Sequence, residues 1–141
     1  GLLDTRFFVL YGDSYLRISM PTVWRAAEAA GTSLLTIFKN HGQWDASNVL
    51  MRDGRIALFE KGRADAKDIG MTHIDYGLAV LNRADIEAMV QPGECHDLAD
   101  VYHRLSLTGD LAAFETDQRF YEIGSPAGLT DFTDFIGSGG R

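Results

Sequence analysis

Bulky apolar residues run without interruption from Phe7 to Tyr11, and Gly12, Asp13, Ser14 and Tyr15 follow. A run of this kind reads as a strand buried on both faces, as found inside a parallel sheet. Ser19 and Pro21 then precede an alanine-rich segment, Thr22 to Ala30, that stops at Gly31. A cap residue, an early proline and a terminal glycine punctuate a short helix. Ser33 to Phe38 is a second apolar run of strand length. Strand, helix and strand in that order predict a parallel pair joined by a right-handed crossover.

The pattern then changes. Asn48 to Arg52 and Arg55 to Glu60 flank Asp53-Gly54, a strong two-residue hairpin signal. Lys61 to Gly70 is polar, charged and glycine-containing, and reads as a mobile loop. Ile74 to Leu81 is a strand interrupted by Gly77, and Asn82 stands where it caps a helix from Arg83 to Val90. Gln91 to Glu94 is a turn. Asp97 to Leu107 carries a helical stripe of Leu98, Val101, Tyr102 and Leu105 that ends at Gly109. Leu111 to Thr116 and Phe120 to Gly124 are extended, and Ser125-Pro126 opens a helix with Leu129, Phe132 and Phe135 facing inward. The whole predicts one α/β domain over 1–136, with a flexible tail over 137–141.

Composition narrows the function classes. A chain of 141 residues with 45% hydrophobic and 23% charged positions suits one soluble domain. The net charge of −7 gives a polyanionic partner no help, so nucleic acid is not an expected ligand. No apolar run has bilayer-spanning length and no signal peptide opens the sequence, so no membrane partner is expected. The single cysteine, Cys95, forbids an intrachain disulfide and suits a reducing, cytoplasmic setting.

Several groups could carry chemistry. Asp13 closes a strand after a tight glycine turn, where a carboxylate can hold a metal or a sugar hydroxyl; it can equally bond its own turn. Glu60-Lys61 at the loop entrance can meet a hydroxyl and a phosphate, or form an exposed ion pair. Gly77 in Asp75-Tyr76-Gly77 marks either close ligand approach or a bulge. Glu122 is an acid in an apolar strand, paired with a cation or turned to solvent. His96, Asp100 and His103 share one helical face, which would suit a metal hydrolase, but that face lies opposite the apolar stripe and so toward water. Cys95 beside His96 reads as a partly buried structural thiol, and His41 and His73 have no ligand spacing.

Four segments occur in the order seen in sugar-phosphate nucleotidyltransferases: Phe8-Val9-Leu10-Tyr11-Gly12-Asp13-Ser14, Phe59-Glu60-Lys61, Ile74-Asp75-Tyr76-Gly77-Leu78 and Phe120-Tyr121-Glu122-Ile123-Gly124-Ser125-Pro126. The chain resembles the later part of such an enzyme over nearly its whole length. The resemblance implies a Rossmann-like α/β fold, a mixed sheet with flanking helices. It implies that Asp13 and Glu122 bind Mg2+, that Glu60 and Lys61 bind sugar hydroxyl and phosphate groups, and that Gly77 lies under the sugar, with Asp75 and Tyr76 beside it.

Two departures from the family pattern stand out. Glu122 occupies the place of a usual aspartate, which lengthens the reach to the metal. The family's glycine-rich triphosphate loop, with its Gly-Thr-Arg and following lysine, has no match in this sequence. The resemblance therefore implies a nucleotidyltransferase acting on a sugar 1-phosphate and a nucleoside triphosphate in the intact enzyme, with Asp13 and Lys61 in the reaction. The isolated chain is expected to be inactive, because positioning and electrostatics do most of the work in phosphoryl chemistry. The alternative is an inactive binding or assembly module that self-associates, as a homodimer, through an exposed sheet edge.

Overall fold

The computed structural model describes residues 3–41, 43 and 46–140, so residues 1–2 of the expected domain and Arg141 of the expected tail lie outside it. Its centre is the strand β6 (His73–Asn82), whose side chains are buried on both faces. Tyr76, Leu78 and Val80 join Val23, Ala27 and Leu34 in one core. Ala79 and Leu81 point the other way, into a core with Leu35, Ile37, Phe59, Tyr102 and Leu105.

Seven further strands surround it: β1 (Arg6–Leu10), β2 (Ser14–Tyr15), β3 (Ser33–Lys39), β4 (Val49–Arg52), β5 (Arg55–Phe59), β7 (Leu111–Thr116) and β8 (Tyr121–Glu122). The main sheet runs β5-β4-β6-β3-β7, with β1 also paired to β6. Only β3 and β7 pair in parallel; β1, β3 and β4 all run antiparallel to β6, and β4 antiparallel to β5. This is a mixed sheet. Helix α1 (Met20–Ala30) packs on β3, β6 and β7, while α2 (Arg83–Met89) and α3 (Leu98–Thr108) pack on β6 and on β5 and β7 respectively. A last helix, α4 (Pro126–Gly137), packs on β8.

The order of these elements corrects the expected parallel pair. β1 and β3 do point the same way, but β6 lies between them: Val80 faces Phe8 on one side and Leu34 on the other. β1 is also not buried on both faces. Phe7 and Val9 pack against the core, while Phe8 is 38% and Leu10 52% exposed. An unbroken apolar run was satisfied by one sheet face plus partial cover, in which the Phe8 ring meets Trp24 at 5.2 Å.

Local chemistry accounts for the elements that formed as expected. In the β4–β5 hairpin, Asp53 and Gly54 have φ of 51° and 75°, the left-handed pair that a two-residue turn needs. Asp97 caps α3 by accepting from the Ala99 N–H at 2.8 Å. The 61–70 segment is not a loose excursion. Its backbone bonds Ile69 to Asp65 and Met71 to Ala66, and Ala66 and Met71 bury against Leu50. At the far end of the chain, Phe132 and Phe135 pack on Tyr121, but Leu129 is 52% exposed rather than inward, since α4 covers only the small β2–β8 ribbon. Ser138, Gly139 and Gly140 each bond back to the last turn of α4.

Candidate functional site

A cleft of about 380 Å³ opens where β1 ends, the hairpin closes and β6 bends at Gly77. Three carboxylates, of Asp13, Asp75 and Glu122, and one ammonium, of Lys61, line it. Each arrives on a different segment, and each arrival has a local cause.

Asp13 and Glu122 are brought together by the β2–β8 ribbon. Ser14 pairs with Glu122 across it, and the Ile123 N–H donates to the Asp13 carbonyl at 2.7 Å. Both carboxylates crowd the open side of Gly124: a Cβ there would stand 2.7 Å from Glu122 Oε1 and 3.2 Å from Asp13 Oδ2. Glu122 Oε2 accepts from Ser125 Oγ at 2.6 Å, and Ser125 Oγ in turn accepts from the Gly128 N–H at the start of α4. The glutamate is thereby oriented by one oxygen, Oε2, while Oε1 lies beside Gly124.

Asp75 lies deeper. Its Oδ2 accepts from the Tyr11 hydroxyl at 2.5 Å, its Oδ1 accepts from the Gly77 N–H at 2.8 Å, and its own N–H donates to Asn48 Oδ1 at 3.1 Å. Burial pushes the Asp75 carboxyl above its ordinary value of 3.8, against the opposing pull of Tyr11, Gly77 and Lys61. Burial, and next the Asp75 charge, raise the Tyr11 phenol above its usual range. Gly77 takes φ of +83°, and a Cβ on it would meet the Tyr11 ring at 3.1 Å. Its amide and carbonyl are both used, the carbonyl accepting from the Tyr11 N–H at 3.0 Å. Lys61 Nζ stands 5.8 Å from the centroid of the same ring. Tyr11 therefore touches the lysine, the buried acid and the glycine at once.

No family model and no curated protein matches this sequence. Solved structures do match its fold. HddC from Yersinia pseudotuberculosis superposes with a TM-score of 0.69 at 19% identity, over 94% of this chain and 56% of its own. The inositol-1-phosphate CTP transferase from T. maritima gives 0.64 at 19%, over 99% and 59%. The UTP-bound UGPase from Acinetobacter baumannii gives 0.67 at 15%, over 93% and 50%. The chain has the sugar-phosphate nucleotidyltransferase fold. It spans only 50% to 59% of the length of those three chains.

Within this nucleotidyltransferase fold, six of the seven residues singled out from sequence line one cleft: Asp13, Lys61, Asp75, Tyr76, Gly77 and Glu122. Glu60 does not line it; its Oε2 is held by the Arg63 guanidinium at 2.7 Å, and Arg63 also reaches Asp65 at 2.6 Å. Tyr11, Ser14 and Asn48, which do line it, were not anticipated. Tyr11 carried a signal of position, as the phenol at the strand end next to Gly12-Asp13, but its partner lies 64 residues away.

The histidines do not assemble. His96 precedes α3 and its Nε2 meets Glu94 Oε2 at 3.0 Å, while His103 Nδ1 lies 2.7 Å from the Phe59 carbonyl, half-buried rather than facing water. The Asp97 cap starts the helix after His96, which removes it from the shared face. Among the described residues no group of three or more His, Cys, Asp or Glu side chains could hold a metal. Cys95 is exposed rather than partly buried, because it sits in the polar approach to α3. Among the described residues, no helix is long and apolar enough to cross a membrane.

Proposed function

We propose that this chain is the sugar- and metal-binding portion of a sugar-1-phosphate nucleotidyltransferase. In the intact enzyme the sugar-phosphate oxygen would attack the α-phosphorus of a nucleoside triphosphate in line, forming the new P–O bond as the bond to pyrophosphate breaks. The observation that carries this reading is convergence. Residues from positions 13 to 122, picked out by their place in four short motifs, share one cleft within a fold common to such transferases. Solved neighbours carrying GMP-PN and UTP support a nucleotide as the second substrate.

The geometry of the cleft supports the following roles. Asp13 and Glu122 would hold Mg2+, a hard cation that takes one or two carboxylates and fills its remaining positions with water and phosphate oxygens, so two converging acids suffice. The ion supplies charge neutralisation between phosphates when bound. Lys61, the one cation among the described residues lining the cleft, would neutralise the sugar phosphate. Gly77 lets a sugar ring approach the backbone, with Tyr76 beside it. Asp75 would accept from a sugar hydroxyl, since a carboxylate has about four acceptor positions and Tyr11 and Gly77 use two.

The test is binding and turnover together. Calorimetry with hexose 1-phosphates and Mg2+ is expected to show metal-dependent binding that falls at least about tenfold in Asp13→Asn and in Lys61→Ala. Pyrophosphate release from a nucleoside triphosphate panel then reports whether this portion turns over. Turnover that persists in Asp13→Ala would sink the metal assignment.

One observation favours a second reading, a self-associating module: β1 pairs only with β6 among the described residues, and Phe8 and Leu10 on one of its faces are exposed. Light scattering decides it, since a strictly monomeric folded chain removes the case.

A further inference from the structure

A second cavity, of about 340 Å³, lies beyond the end of β3 and is lined by Lys39, His41, Ser47, Lys67, Met71 and Thr72. We infer that it binds a phosphate-class anion, independently of the cleft and of the reaction proposed for it.

Charge is the first argument. The chain carries 20 acidic against 13 basic residues, and its lysines are only Lys39, Lys61 and Lys67. Two of the three meet in this cavity with an imidazole, and among the described residues no carboxylate lines it. Among the described residues Arg63, Arg83 and Arg119 each have an acidic partner, whereas Lys39, His41 and Lys67 form no ion pair. Asp68, next to Lys67 in sequence, lines the adjoining hollow together with Lys67, Ser47 and Arg63. Grouping unpaired like charges costs free energy, and a bound anion reverses that cost.

Geometry is the second. The backbone segments that carry its lysines are tied to the sheet. Lys39 is in register with His73, and the Asn40 N–H donates to the Thr72 carbonyl at 2.9 Å, which ties the end of β3 to the start of β6. Met71, 3% exposed, forms an anchored wall, and its N–H bond to Ala66 holds the turn that carries Lys67. Ser47 Oγ already accepts from Asn40 Nδ2 at 3.3 Å, so its own proton is available to an acceptor in the cavity. Two ammonium groups and a hydroxyl donor suit a compact, doubly charged oxyanion, for which lysine acts as a point charge. Room for more than one phosphoryl group is present.

The experiment is an amide NMR titration of the whole chain with inorganic phosphate at constant ionic strength. Saturable shifts are expected at Lys39, His41, Thr72 and Lys67. The doubly substituted Lys39→Ala, Lys67→Ala chain should bind at least about tenfold more weakly, the Lys39→Arg, Lys67→Arg chain should retain binding, and Lys61→Ala should leave it in place. Both lysines are exposed, so the unchanged remainder of the spectrum verifies folding in the same sample. Three results would overturn the inference: shifts that do not saturate, shifts that chloride reproduces at the same ionic strength, or shifts confined to Asp13, Lys61 and Gly77. Failure here would leave the cleft reading intact, because that reading turns on Asp13 and hexose 1-phosphate.

Discussion

Gly77→Ala tests the architecture of the cleft floor more directly than any charge substitution. Two costs combine at that position. The backbone sits at φ of +83°, where an L side chain costs about 1–2 kcal/mol. The new Cβ would then stand 3.1 Å from the Tyr11 ring and 3.4 Å from Ser14 Oγ, and the ring cannot retreat freely because its hydroxyl is bonded to Asp75 at 2.5 Å. Crowding of this kind adds about 1 kcal/mol or more, for a total of about 2–3 kcal/mol. At roughly 2–4 °C per kcal/mol for a chain near this size, the melting temperature should fall by about 4–12 °C. Urea denaturation measures the same loss as a lower midpoint at unchanged slope. Gly93→Ala is the control: its φ is +87° but nothing lies within 4 Å of the added carbon, so it carries the backbone cost alone. If the two variants lose the same stability, the contact with Tyr11 has no energetic content. A change below about 0.5 kcal/mol at Gly77 would refute the backbone argument as well.

Tyr11→Phe removes the hydroxyl that donates to Asp75 and should cost about 1–3 kcal/mol at neutral pH, checked by urea melts. Asp75 also sets a pH dependence: its folded carboxyl titrates above its unfolded value, so the native state binds the extra proton and stability falls as pH rises from near 3.8 through the folded pKa. The stability gap between Asp75→Asn and the unsubstituted chain should move in favour of the variant over that window; a gap that is flat with pH contradicts the burial argument. Ser106→Ala strips the Phe59 N–H of its acceptor at 3.0 Å, in a site only 4% exposed, and should cost about 1–3 kcal/mol by thermal melting. Glu122→Gln should weaken Mn2+ binding, read by water-proton relaxation, at least about tenfold if both acids share the ion.

How far the chain could be read without coordinates depended on where the determining contacts lay. The β4–β5 hairpin was legible because Asp53-Gly54 satisfies its turn locally, and α3 because its cap and stripe are encoded within a dozen residues. β1 was misjudged because an apolar run records composition, not neighbours: the same five side chains serve a strand that β6 covers on one edge alone. The cleft was legible as a set of motifs yet not as a mechanism of assembly. Asp75 stood out by sequence, while the phenol that holds it did not, nor did the pairing of Glu60 with Arg63, three residues on.

The β2–β8 ribbon has a consequence in time. Asp13 and Glu122 stand far apart in sequence, so β1 can close onto β6 and both cores can be buried before the acid pair forms. Once formed, the ribbon and α4 hang together through Tyr15, Tyr121, Phe132 and Phe135, a small aromatic knot outside the main sheet. Such a unit opens on its own, with a free energy below that of global unfolding. Hydrogen exchange at Ile123, whose amide is bonded to the Asp13 carbonyl, should therefore run faster than at Val80. A divalent ion spanning Asp13 and Glu122 would slow it, so that the ligand acts as a latch on the ribbon.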